Sequence, residues 1–238
     1  MAANDTTVPT SSKRTGVVIG AVVVVLALIG FGVWFVALRD DAPERASGPS
    51  CGSGPVEGGS ADGAWSVTPE DGFFVGYRIT ERFGGETIDK TAVGRTDKVS
   101  GTMTIDGPQV TKVEINADVT QLKSDSGRRD AYLRDRALET NDHPEATFVA
   151  TEPVALGATP SQGRQLDTTV KGNLTLRGQT NAVELPVQAC WTGDRIEITG
   201  STPIALADYG ITAPDISGLV KVADNGELEL KLAFRRGV

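Results

Sequence analysis

Histidine occurs once in this 238-residue chain, cysteine and methionine twice each, and aromatic residues make up only 5% of it. Each shortage excludes something. One histidine and two cysteines do not supply the several ligands that zinc usually draws on, so no metal site is expected. Catalytic residues are expected to be none: His143, in NDHPEATF, precedes a proline at a helix-to-strand junction, where a structural role is the ordinary one. Ser126 lacks the elbow motif of a nucleophile. The glycines match neither a dinucleotide nor a P-loop fingerprint, so no cofactor is expected. Positive charge is short too, with 23 Lys and Arg against 31 Asp and Glu and a net charge of −8. That balance opposes nucleic-acid binding, which needs clustered cations on phosphate.

Charge is absent altogether from residues 16–38, GVVIGAVVVVLALIGFGVWFVAL. About 20 apolar residues cross a bilayer core, so this run is long enough for a transmembrane helix. Trp34 and Phe35 suit an interfacial anchor at its far end, and Lys13 and Arg14 precede it. The positive-inside rule then puts residues 1–15 in the cytoplasm and everything beyond Leu38 outside. The alternative is a cleaved signal peptide, whose apolar region is normally shorter and followed by a small-residue cleavage site. Residues 39–64 are rich in Gly, Pro and Ser and read as a flexible linker. Cys51 lies in it. Outside the cytoplasm two cysteines suggest a disulfide between Cys51 and Cys190; the alternative is a free Cys51 and an apolar wall residue at Cys190.

What is abundant is alternation of period two, the mark of half-buried strands. It is clearest over 167–191. Val170, Gly172, Leu174 and Leu176 alternate with polar residues, as do Val183, Leu185, Val187 and Ala189, with turn chemistry at 178–181 between them. Pro186 lacks a ladder donor and marks an edge or bulge. Val75, Tyr77 and Ile79 alternate likewise, and so do Val99, Met103 and Ile105, then Val113, Ile115, Ala117 and Val119, then Leu228, Leu230, Leu232 and Phe234. Residues 84–98 show no clean period and read as a long loop. Residues 124–141 read as one or two short helices, capped by Ser124 or Asp125. The domain over 65–238 is therefore all-β, with about eight antiparallel strands and a short helical insertion. Closing such a sheet removes its edges, giving a barrel, although a sandwich has the same periodicity.

The motifs WSVTP, VSGTMTIDG, RRDAYLRDRALETNDHPEATF, VKGNLTLRGQTNAVELPV and ADYGI resemble, in this order and spacing, the YceI-like family of bacterial lipid-binding proteins. The resemblance implies an extended lipocalin-like antiparallel β-barrel with a long apolar lumen. It also implies binding of a polyisoprenoid chain, such as an isoprenoid quinone or a polyprenyl carrier. A permanent anchor departs from family members that are free after signal cleavage. Expected to line the lumen are Val75, Tyr77, Ile79, Met103, Ile115, Val119, Phe148, Val170, Leu174, Leu185, Val187, Leu230, Leu232 and Phe234. The same residues also suit a filled core, because parity does not give barrel radius. The cluster Arg128, Arg129, Asp130, Arg134, Asp135 and Arg136 is either a solvated helix surface or a guard at the lumen mouth. The expected partners are thus a long apolar lipid and, through residues 16–38, the membrane. A filled barrel that binds an envelope protein through 84–98 and 207–215 is the other reading.

Overall fold

A computed structural model describes residues 42–52, 59–83, 88–216 and 219–237. The expected cytoplasmic tail and transmembrane helix fall outside the described residues. Among the described residues no helix is long and apolar enough to cross a membrane.

The strands are β1 (Gly63–Val67), β2 (Phe74–Phe83), β3 (Ile88–Thr96), β4 (Val99–Asp106), β5 (Gln109–Asp118), β6 (Glu145–Ala150), β7 (Val154–Ala155), β8 (Gln165–Leu176), β9 (Gln179–Trp191), β10 (Arg195–Ala205), β11 (Asp215–Ile216) and β12 (Val220–Arg236). Eight of them, in the order β1-β4-β5-β6-β8-β9-β10-β12, form a ring that closes where β1 pairs with β12. The fold is an antiparallel closed barrel. The β2–β3 hairpin continues along the edge of β12 beyond that closure. Among the described residues one α-helix, α1 (Gly127–Tyr132), leads into a π-helical turn over Leu133–Ala137.

The longest alternating stretch builds the longest ladder, β8 on β9. Its turn is Arg177–Gly178, not 178–181, and Gln179 to Asn181 are paired strand residues. Both turn residues have positive φ, 50° and 69°, as a two-residue hairpin turn matched to strand twist requires. Arg177 is an unusual residue for that conformation. Its guanidinium is tied to the Glu139 carboxylate and the Gly210 carbonyl, which holds it there. Pro186 behaves as an edge: the β9–β10 ladder stops at Val187↔Gly200, one residue short of it.

Two expectations give way. Residues 88–96, read as loop, are a strand paired with β2 throughout. Ala92 and Val93 are both buried, and a strand covered on both faces loses period two. Gly94 is needed there, since a Cβ would sit 2.3 Å from the Tyr77 ring. The cap of α1 is Ser126, whose hydroxyl accepts the Arg129 amide, while Ser124 is bonded to Asp130.

The segment expected to be a free linker is held on the barrel wherever it is described. Residues 42–52 lie along the outer face as a strap. Arg78 and Arg95 donate to the carbonyls of Pro43 and Glu44, the Ala46 amide donates to Glu229, and the Ser50 amide donates to Glu197 at 3.0 Å. Lys231 reaches Ser47, and a Cys51–Cys190 disulfide closes the far end of the strap. Glu229 is only 3% exposed and is paired with Arg78 at 3.1 Å. Composition marked this stretch as unable to bury a core of its own. It did not show that the barrel's outer wall carries buried charges whose partners are the strap's backbone.

Candidate functional site

The interior of the ring splits into two apolar regions. The larger core cluster runs from Trp65, Met103 and Ile105 to Trp191, Leu232 and Phe234. The smaller one gathers Val119, Leu122, Ala137, Leu138, Leu174, Leu176, Ile204, Tyr209 and Ile211 at the opposite end. The smaller cluster is a plug. The segment after β5, the helical insertion, and the 3₁₀ turn Leu206–Tyr209 with the residues after it pack there against Leu174 and Leu176 of β8 and Ile204 of β10. Arg129 clamps the insertion to the wall with a two-pronged pair to Glu81, both contacts at 2.8 Å. That hydrogen bonding holds the Arg129 guanidinium above its ordinary pKa despite partial burial. Arg177 likewise holds the Glu139 carboxyl below the usual range.

Between the plug and the other end lies a cavity of about 590 Å³. Pockets for small ligands span roughly 300–1,000 Å³. All but three of the lumen candidates line it: Val75, Met103, Ile115, Phe148, Val170, Leu174, Leu185, Val187, Leu230, Leu232 and Phe234. The exceptions are corrections. Tyr77 and Val119 belong to the plug, and Ile79 sits on β2 beyond the cavity beside Gly226. Parity carries no depth, and the two ends of the tube are not alike. Burial pushes the Tyr77 phenol above its ordinary pKa, and its hydroxyl has no hydrogen-bond partner among the described residues. Sequence reasoning missed Ile105, Val110, Val113, Leu156, Trp191, Ile196 and Ile198 as lining residues. The same alternation that selected Met103 and Ile115 extends to Ile105 and Val113. Leu156 and Trp191 had no such signal.

The cavity opens beside β8. Strand β6 pairs with β8 only over residues 147–150 against 172–175. The chain then leaves to pair as β7 with β5. Residues 165–170 of β8 therefore form a ladder with β9 alone among the described residues, and residues 156–164 cross the gap. Exposed residues Gly157, Ala158, Thr159, Ser161 and Arg164 line the cavity there, with Pro160 half-buried among them. Asp167 and Glu229, the acidic residues of the lining, turn their carboxylates elsewhere: Asp167 to the amides of Gln165 and Gln188, Glu229 to the arginines under the strap. The arginine-rich segment 128–136 touches the plugged end and lines none of the cavity. His143 is also at the plugged end, stacked against Gly178, where a Cβ would come within 2.8 Å of its ring.

The YceI-like domain model matches residues 67–234, so the chain belongs to the YceI-like family. A UPF0312 protein of Vibrio cholerae is 32% identical over 136 residues, covering 53% of this chain and 68% of that protein. A Shewanella UPF0312 protein is 34% identical over 128 residues, covering 50% and 63%. Among solved structures, a polyisoprenoid binding domain from Saccharophagus degradans aligns with a TM-score of 0.54 at 15% identity, over 72% of this chain and 97% of that one. Burkholderia cenocepacia BcnA aligns with a TM-score of 0.50 at 18% identity, over 66% and 95%. These two likenesses speak to the fold.

Proposed function

We propose that this protein binds the apolar chain of a polyisoprenoid lipid, an isoprenoid quinone or a polyprenyl carrier, inside the barrel. The observation that carries the reading is the apolar cavity inside the barrel, bordered by the plug at one end and by exposed lining residues beside β8. A flexible chain threaded into it leaves water without demanding directional partners, which is the hydrophobic effect acting on buried area. Family membership supports the same reading. The protein acts by binding rather than catalysis, a reading supported by the placement of His143 at the plugged end, away from the cavity. The apolar run 16–38 anchors the chain in the membrane as a single-pass helix, with the N-terminus cytoplasmic and the barrel outside. The Cys51–Cys190 disulfide supports an oxidising compartment for the barrel.

Native mass spectrometry of the full chain, with solvent extraction of whatever accompanies it, tests the binding reading. A stoichiometric isoprenoid, recovered chemically unchanged, is the expected result. Leu174→Trp fills the deep end of the cavity and lowers occupancy. An apo mass that persists after incubation with quinones and polyprenyl phosphates overturns the reading. Protease accessibility in sealed cells, with the barrel cut only from outside, tests the topology.

A further inference from the structure

Arg164 is, among the described residues, the only basic side chain lining the cavity. Other arginines at this open end are occupied. Arg195 pairs with Glu70 and Glu197, Arg235 with Glu70 and Asp194, and Arg236 with the Ser60 carbonyl and the Trp65 ring. Arg164 has no ion pair among the described residues, although Asp167 stands three positions away on β8 and takes amide donors instead.

Its placement is built. The Gly163 amide donates to the Trp191 carbonyl at 2.8 Å, and Gly163 has φ of 71°, a conformation that favours glycine. The Arg164 amide closes the turn onto the Ser161 carbonyl. Arg164 also shares the parity of Leu166, Thr168 and Val170, cavity-lining residues of β8. The wall thus grades from a guanidinium at the lip to apolar side chains within. That gradient is the complement of an amphiphile entering tail first.

From this, and resting on the lipid-binding reading above, we infer that Arg164 selects an anionic phosphate headgroup over an uncharged one. The ligand class is a polyprenyl phosphate rather than a quinone or an alcohol. A guanidinium fork meets two phosphate oxygens at once with charge-assisted bonds, whereas a quinone carbonyl or a hydroxyl takes a single neutral acceptor contact. The chain is acidic overall, so long-range attraction does not favour anions, but beyond about 10 Å that field is screened. The local cation decides at the lip.

The test uses the full chain in phosphatidylcholine nanodiscs and three probes with matched twenty-carbon tails: geranylgeranyl phosphate, geranylgeraniol and menaquinone-4. Binding is read by native mass spectrometry. The expected result is a preference of about fivefold for the phosphate, the size an exposed ion pair supplies. Arg164→Gln removes that preference by lowering phosphate binding more than geranylgeraniol binding, and Arg164→Lys restores part of it. Equal affinity for the three probes, or a preference that survives Arg164→Gln, overturns the inference while the lipid-binding reading stands. Saturable binding of inorganic phosphate alone at the same residue also overturns it, by making the site one for a free anion. No binding of any probe overturns both.

Discussion

The two ends of the barrel begin from the same alternating strands and finish in opposite ways. At one end side chains from three separate segments meet around Tyr209 and Leu176, and ion pairs fasten the lid they make. At the other, β6 and β8 part company and only a loop crosses between them. Strand alternation makes a tube with a dry inside. Whether a tube is a core or a container depends on what its connections do at each end, and here three of them converge on the end around Tyr209.

The open end adds a covalent crosslink to the packing around Trp65 and Phe234. Replacing both Cys51 and Cys190 by Ser frees a crosslink spanning 139 positions, and urea unfolding should show a loss of about 4 kcal/mol. Hydrogen exchange should loosen first in the strap and around Trp191, while the plug stays protected; loosening of the plug first would break the contrast between the ends. Tyr209 is 1% exposed in the plug, so Tyr209→Ala should cost about 3 kcal/mol in the same assay. Its hydroxyl has no partner among the described residues, so Tyr209→Phe should be close to neutral. A large loss with Phe would mean the hydroxyl is satisfied in solution.

Gly94→Ala drives a methyl group into the Tyr77 ring and should destabilise by about 2 kcal/mol. The smallest effect is on the strap. The Arg45 guanidinium, by hydrogen bond and charge, holds the Glu227 carboxyl below its ordinary pKa. A depressed carboxylate stabilises the folded state above the ordinary value of about 4.3 and loses that contribution as pH falls through the depressed one. Arg45 is largely exposed and Glu227 half-buried, so the stability difference between wild type and Arg45→Ala should be a few tenths of a kcal/mol at pH 6 and should shrink as the pH falls below about 4.3. A difference that grows on acidification would show that Arg45 acts otherwise.

The sequence made the walls legible and the ends obscure. Met103, Ile115, Val170, Leu185 and Leu232 were placed facing inward by alternation alone, and they line the cavity. Tyr77, Ile79 and Val119 obey the same alternation and lie beyond it. The strand at residues 88–96 was hidden because the successive residues Ala92 and Val93 are both buried and Gly94 lies against the Tyr77 ring. The strap was hidden for a different reason. A Gly, Pro and Ser-rich segment makes no core of its own, so its docking is written in Arg78, Arg95, Glu197 and Glu229 of other strands.

Alternation of period two and turn residues were enough to determine an antiparallel all-β domain, because these follow from local geometry. Family motifs narrowed it to a barrel of the YceI-like family. The blocked end, the side opening at β8, the lone guanidinium at its lip and the docked strap came only with the tertiary structure. Each depends on which distant residues meet, and a strand's own pattern fixes the side a residue faces but not what stands across from it.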